Sequence, residues 1–330
     1  MDLNGDVYAD VLSGSWPGEI FLFRGGPDHA YAAGEMIKDQ EGQLINVGGG
    51  IEEGYNGDGI LIRGTVEWET TDEGRFAIYH GKRIRYTPDK PIASTGAAST
   101  VHPVDWDGDG DLDLIVGDIR GNVYLVPNEG TAKAYAFAKE TQLKAGGELL
   151  KVRSRAGPYA ADWDGDGDFD LLVGDDQGRV TLYRNTGSAT APQLAAGQEL
   201  VSSGKTSFGG QVPTEAVRGT RVKICVADWN SDGKPDLLVG DLASQKPDNP
   251  EPTPEEKAEF DKRREELGTI RERYSELVQK ISGPSRVRDE TELKKVQEEF
   301  TKVRERMSEL QSQLPQEYDL HGWVWLFLRK

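Results

Sequence analysis

The stretch "DWDGDGDLDLIVGD", Asp105 to Asp118, sets an acidic side chain at every second position from Asp105 to Asp113 and then turns apolar. It recurs as "DWDGDGDFDLLVGD" from Asp162 to Asp175 and "DWNSDGKPDLLVGD" from Asp228 to Asp241, with a looser copy, "DLNGDVYADVLSG", from Asp2 to Gly14. Each copy is followed by a glycine and a β-type run: "GEIFLF" from Gly18, "GNVYLV" from Gly121, "GRVTLY" from Gly178 and "GWVWLF" from Gly322. Self-similarity of this kind marks a repeat architecture.

Within a unit, an apolar approach such as "TVHPV" or "GPYAA" enters the acidic loop, and a short apolar run ended by glycine leaves it. A tight turn then delivers the β-branched and aromatic run, and a looser segment such as "YAFAKETQL" completes the unit. Four short strands per unit predict a mainly β fold built as a β-propeller, one blade per repeat. The apolar runs are continuous, as burial on both faces requires.

Spacing separates repeats from insertions. Asp105 to Asp162 is 57 residues and Asp162 to Asp228 is 66, whereas Asp2 to Asp105 is 103. The excess matches Ile51 to Thr95, whose "ILIRG", "TVEWET", "RFAIYHG" and "RIRYT" read as extra strands; a degenerate blade without an acidic loop is the lesser alternative. The glycines flanking the second turn are four apart at Gly14 and Gly18, Gly117 and Gly121, and Gly174 and Gly178, but lie at Gly240 and Gly322 in the last copy. A hairpin turn has there become a subdomain.

That subdomain opens with the proline-rich "KPDNPEPTPEE", whose Thr253 and Pro254 suit a helix N-cap and first turn. Apolar residues follow at Phe260, Leu267, Ile270, Tyr274, Leu277 and Ile281, and, after the break "SGPS", at Leu293, Val296, Phe300, Val303, Met307, Leu310 and Leu314. Steps of three and four predict an antiparallel coiled-coil hairpin. The domains are then 1–50, blade 1 without its first strand; 51–95, β insertion; 96–150, blade 2; 151–205, blade 3; 206–246 with 318–330, blade 4; and 247–317, the hairpin. Four visible blades, the first without its opening strand and the last ending after its third, describe a ring truncated at its N-terminus, with another blade and a secretion signal expected upstream.

Counting from the first aspartate, acidic residues occupy positions 1, 3, 5 and 9, with a carbonyl available at 7 and Gly110 at 6 for the sharp turn. This is the oxygen-ligand spacing of a calcium loop. Carboxylates about 4 Å apart repel by roughly 4 kcal/mol at an effective dielectric of about 20, which a cation or full hydration must relieve. Aspartate-rich Asx-turns in solvent are the bland alternative. An EF-hand is excluded, because position 12 is Val116, Val173 or Val239 inside a strand-like run rather than a bidentate glutamate.

The pattern D-x-D-x-D-G-x-x-D, followed by an apolar run and glycine, resembles the FG-GAP or VCBS repeat, which forms calcium-binding propeller blades in integrin α-subunits and secreted bacterial proteins. The resemblance covers the blade cores and leaves the two insertions unexplained. It implies Ca2+ ligands at Asp105, Asp107, Asp109, Asp111 and Asp113; at Asp162, Asp164, Asp166, Asp168 and Asp170; and at Asp228, Asn230, Asp232, Lys234 through its carbonyl, and Asp236. The first copy offers Asp2, Asn4, Asp6, the Tyr8 carbonyl and Asp10, but has Val7 where glycine is expected.

The formal charge of −18 disfavours nucleic acid and anionic membrane surfaces as partners. No apolar stretch approaches the length of a spanning helix. Cys225, the single cysteine, reads as a small core residue in "VKICVADW". The four histidines fall in unrelated contexts, with His102 in a packing or capping role, and "SGSWPG" from Ser13 aligns with the tight turns of the other units. The favoured function is a non-enzymatic, calcium-stabilised recognition scaffold, secreted, periplasmic or on the cell surface, with a protein or glycan ligand. The alternative is the propeller of a secreted polysaccharide-active enzyme. The helical hairpin and the β insertion should emerge on the face away from the metal loops, either to bind the partner or to pack as a flap.

Overall fold

The computed structural model describes residues 1–205, 212–248, 251–282, 287, 289–316 and 318–330. The first residues expected of the fourth blade (206–211), Asn249 and Pro250 of the linker, the centre of the "SGPS" break and Glu317 lie outside the described residues. The chain is mainly β with two long helices and divides into two units, Met1–Ser244 with Leu320–Lys330, and Gln245–Asp319.

In the first unit each acidic repeat builds one antiparallel sheet. The first holds β1 (Val11–Gly14), β2 (Ile20–Phe23) and β3 (Glu35–Met36). An insertion follows, with β4 (Gly50–Tyr55), β5 (Gly59–Arg63), β6 (Glu67–Thr71), β7 (Gly74–Tyr79), β8 (Lys82–Arg85) and β9 (Ile92–Thr95). The second sheet runs β10 (Thr100–Val104), β11 (Asp113–Gly117), β12 (Val123–Val126) and β13 (Thr141–Gln142), trailed by a small hairpin of β14 (Lys144–Ala145) and β15 (Glu148–Leu149). The third runs β16 (Gly157–Ala161), β17 (Asp170–Gly174), β18 (Val180–Tyr183) and β19 (Gln198–Val201). In the fourth, β20 (Thr220–Ala227) pairs β21 (Asp236–Gln245), helices α1 (Pro254–Ser282) and α2 (Glu290–Ser312) intervene, and β22 (Asp319–His321) and β23 (Val324–Phe327) return to β21.

The period of two in a strand sorts each sheet's residues to opposite faces, and that sorting builds the core. Leu12, Ile20 and Leu22 of the first sheet pack against Leu114, Val116 and Val126 of the second. On the second sheet's other face, Ile115, Val123 and Leu125 meet Leu171, Val173 and Tyr183 of the third. Leu172, Val180 and Leu182 of the third then meet Leu237, Val239 and Phe327 of the fourth. Sheets two and three are thus buried on both faces, which is why their central runs are continuously apolar.

Register is preserved across the helical excursion. Gly117 pairs with Val123 and Gly174 with Val180, and Gly240 pairs with Val324 in the same relation. The aspartate after each glycine explains how. Asp118 accepts from Asn122 N at 2.9 Å and Asp175 from Arg179 N at 3.0 Å, closing four-residue turns. Asp241 instead accepts from Trp323 N at 3.3 Å and from Trp325 Nε1 at 2.8 Å. The same carboxylate device therefore seizes the strand that returns after the helices.

The insertion between the first two repeats forms two small sheets, β4–β5–β9, with β5 and β9 parallel, and β6–β7–β8, around Ile60, Ile62, Ala77 and Tyr79. It is tied to the first repeat by buried Glu19, which accepts from Thr65 N and Asn46 Nδ2. In the second unit, α1 starts from a capping box in which Thr253 Oγ1 accepts from Glu256 N while the Glu256 carboxylate receives Thr253 N. Asp289 caps α2 through Glu292 N. Leu267, Leu277, Val296 and Leu310 are buried, Tyr274 stacks near Phe300, and Arg273–Glu299 and Arg306–Glu266 pairs set an antiparallel, hairpin-like arrangement.

Cys225 departs from the expected core position: it is exposed. It lies opposite Leu238, on the face of the fourth sheet that no further sheet covers among the described residues. Truncating Leu172→Ala, at the third-to-fourth sheet core, is expected to cost about 2–5 kcal/mol in urea unfolding. Leu326→Ala, at the matching but uncovered position of the fourth sheet, should cost no more than about 1 kcal/mol.

Candidate metal centre

The second, third and fourth acidic loops join the first and second strands of their sheets, the first leads into β1, and the path demands left-handed backbone at positions 4 and 6. Position 4 is Gly5, Gly108, Gly165 or Ser231, and position 6 is Gly110, Gly167 or Gly233, all with φ between 60° and 94°. Val7 takes position 6 of the first loop with φ 72°, a conformation that a β-branched residue adopts only under strain. The departure seen in the sequence thus left the loop's course unchanged and put its cost into the backbone.

The second and third loops concentrate charge. Carboxylate oxygens of Asp105, Asp107 and Asp109 all lie within 4.8 Å of one another, and so do those of Asp162, Asp164 and Asp166. Position 1 is held by backbone donors: Gly110 N reaches Asp105 Oδ2 at 3.1 Å, and Gly167 N reaches Asp162 Oδ2 at 3.1 Å. Oδ1 of Asp105, Asp111, Asp164 and Asp168 is buried without any hydrogen-bond partner. Burial, and then the neighbouring Asp109 and Asp166 charges, raise the pKa of Asp111 and Asp168 respectively. Orphaned buried acceptors beside clustered carboxylates call for a positive charge, and an all-oxygen donor set fits a hard divalent cation. In the third loop, Arg184 already supplies part of that charge, through a 2.8 Å contact to Asp164 Oδ2.

The first and fourth loops differ by one residue with a direct consequence. Position 3 is asparagine, and its amide donates to the carboxylate at position 5: Asn4 to Asp6 at 3.0 Å, and Asn230 to Asp232 at 3.1 Å. Both oxygens of their position-1 carboxylates accept backbone donors, Gly5, Asp6 and Val7 on Asp2, and Asp232 and Gly233 on Asp228, as those of Asp162 accept Gly165 and Gly167 in the third loop. Tyr8 and Lys234 at position 7 are exposed. These two loops are internally satisfied, whereas the middle two are not.

The aspartate at position 9 has a second occupation that spacing did not disclose. Asp113 accepts from Trp106 N at 3.0 Å and from Asn128 N at 2.7 Å, and Asp170 accepts from Trp163 N and Asn185 N. Asp236 holds Trp229 N and Arg329 N, and Asp10 holds Leu3 N and Gly25 N. In all four sheets a buried carboxylate thus joins the loop to the chain leaving β2, β12, β18 or β23, one oxygen to each. Burial pushes Asp113 up to about 6, opposed by its two backbone donors.

Strands β10, β16 and β20 bring together side chains the sequence left apart. His102 stacks on Tyr159 at 4.2 Å, Tyr159 Oη lies 4.0 Å from Cys225 Sγ, and Lys223 Nζ donates to Thr100 Oγ1 at 2.7 Å. Burial lowers His102 to about 4 and, with Arg155 nearby, Lys223 to about 8. The stacking agrees with a packing role for His102.

Residues 105–173 and 162–239 match the model of an FG-GAP-like repeat, so the second, third and fourth acidic loops lie in FG-GAP-like sequence. No curated protein matches the chain. Among solved structures, a lectin from Agrocybe aegerita, described for specific recognition of non-reducing terminal N-acetylglucosamine, is similar at 14% identity. The match covers 74% of this chain and 61% of that one, with a TM-score of 0.29. This chain therefore spans less than two thirds of the lectin, and so loose a superposition bears on neither fold nor ligand.

Asp170→Ala strands two buried backbone donors and is expected to cost about 2–5 kcal/mol even in chelator, as read by urea unfolding. Asp166→Ala, at an exposed position 5, should stay within about 1 kcal/mol under the same conditions. Val7→Gly should raise stability by about 1 kcal/mol by relieving left-handed strain.

Proposed function

We propose that this FG-GAP-like chain is a calcium-stabilised extracellular binding scaffold whose four stacked sheets form an arc of a β-propeller. The single observation that carries the calcium reading is the pair of Asp triads with orphaned oxygens in the second and third loops. Asp105, Asp107, Asp109 and the position-7 carbonyl of Asp111 would hold the ion in one loop; Asp162, Asp164, Asp166 and the carbonyl of Asp168 would do so in the other. Asp113 and Asp170 keep lone pairs free beside their backbone bonds and can complete the shell, directly or through water. The ion neutralises the loop and clamps the first strand to the second. Its role is structural.

The propeller reading is supported by the order of the cores, each shared by consecutive sheets, and by the contact between inner strands of neighbouring repeats. Exposed loops without a position-12 glutamate fit the weak, millimolar-range calcium sites of extracellular modules, which fill only outside the cell. The chain is assigned a binding role, toward a protein or glycan, and no catalysis.

Isothermal titration and thermal melts test this. Calcium at about ten times Kd should stabilise the protein by about 1.4 kcal/mol per site. The second loop should fill most tightly, because the third already holds Arg184 and the other two carry asparagine. Asp107→Asn should abolish the tightest site, and Arg184→Ala should tighten the third loop. No heat of binding and no melting shift between calcium and chelator would overturn the reading.

A further inference from the structure

Strands β10, β16 and β20 repeat a row of equivalent positions. Thr100, Gly157 and Lys223 pair respectively with Gly117, Gly174 and Gly240, the glycines that end the neighbouring apolar runs. Two residues before each stands a left-handed residue, Ala98, Arg155 or Arg221, with φ of 50°, 55° and 56°. Each is held there by its own N–H, which donates to the turn of the preceding sheet at Trp16, Ile119 or Asp176. Arg155 and Arg221 therefore stand one repeat apart in the same setting. Lys223 joins them: its side chain runs back across Gly157, where a Cβ would come within 3.1 Å of Nζ, and donates to Thr100 Oγ1 at 2.7 Å. Glycine in the middle repeat is what lets one lysine reach the second sheet from the fourth.

These cations crowd one another rather than carboxylates. Burial and then the Arg155 charge hold Lys223 down to about 8, and the same two causes lower Arg221. The partner of Lys223 is a neutral hydroxyl, and among the described residues the Arg155 guanidinium has no hydrogen bond or ion pair. Asp176 approaches Arg221 from the turn of the third sheet, but it is shared with Arg153 at 3.9 Å. In a chain with 57 acidic residues and a formal charge of −18, a fully paired arrangement was within reach. The acidic loops do not supply it. Five residues separate Gly157 from Asp162, about 16 Å of strand at roughly 3.3 Å per residue, which is about twice the Debye length at physiological salt. Guanidinium and ammonium donors without a countercharge fit an oxyanion, and the planar fork of Arg155 can hold two of its oxygens at once.

We propose that Arg155, Arg221 and Lys223, with the Thr100 hydroxyl, form an oxyanion-binding site at the ends of these strands remote from the acidic loops. Its ligand is a sulfate, a phosphate or the carboxylate of an acidic sugar. An anion there replaces mutual repulsion of three cations by charge-assisted hydrogen bonds, and Thr100 can donate to it while accepting from Lys223. Every member belongs to the second, third or fourth repeat. The site therefore depends neither on calcium nor on what adjoins the first and fourth sheets.

Isothermal titration of the full chain in metal-free buffer decides this, with sodium sulfate, phosphate and glucuronate each compared with chloride at equal ionic strength. The expected result is saturable binding of at least one of the three. Sulfate or phosphate without glucuronate marks a tetrahedral anion as the ligand, and glucuronate marks an acidic sugar. Arg155→Ala should weaken binding about ten- to hundredfold, the worth of a hydrogen bond to a charged group. In chloride this variant should melt at or above the parent temperature, because Ala98 already holds the same left-handed position and a repelling charge is removed. Lys223→Met, which leaves the left-handed residues untouched, should weaken binding to a similar degree. No saturable heat with any of the three anions, binding unchanged in both variants, or Arg155→Ala melting well below the parent in chloride would overturn the site. Because no metal is present, failure of the calcium reading leaves each of these outcomes as it stands.

Discussion

A buried carboxylate that holds two backbone N–H groups is the constraint on which each sheet depends. Asp10, Asp113, Asp170 and Asp236 each accept one donor from the acidic loop and one from the chain leaving β2, β12, β18 or β23. Removing the charge from water is costly, and two charge-assisted hydrogen bonds offset that cost. The clamp also explains why the acidic loop is so short. The loop has to bring its second residue back to the aspartate at position 9, and the turn this requires crowds the remaining aspartates together.

A second carboxylate acts at the other end of each of the last three sheets. Asp118, Asp175 and Asp241 bind the start of the third strand whether it begins four residues later or after two helices. Because the returning strand is recognised locally, by backbone and indole N–H groups, the excursion between can lengthen with little penalty; loop-closure entropy grows only with the logarithm of length. The helical unit satisfies its own apolar seam between α1 and α2. The insertion of β4 to β9 likewise carries its own small core and is joined to the first repeat through Glu19.

Much of this was legible in the residues. The repeat, its register, the glycine spacing that exposes the excursion, and the acidic positions facing a common point all follow from local periodicity. The double role of position 9 did not, because spacing places a carboxylate near a loop without saying which buried donors need it. Nor did the difference between loops: one asparagine at position 3 reads as a tolerated ligand, yet its amide satisfies the neighbouring carboxylate. Val7 was visible as an exception, but only the backbone shows that the loop keeps its left-handed course there.

Cys225 marks the boundary between the two kinds of knowledge. Its sequence context is that of a core strand, and at the matching place in the third sheet Tyr159 lies against the next inner strand. The sequence by itself determined the strands, their partners and the side of the sheet each residue takes, because these depend on a period of two and on turns a few residues long. Only the tertiary structure decided which of those faces are buried, which carboxylates are satisfied and which stand open, because burial depends on whether another sheet lies opposite, and no local pattern encodes that.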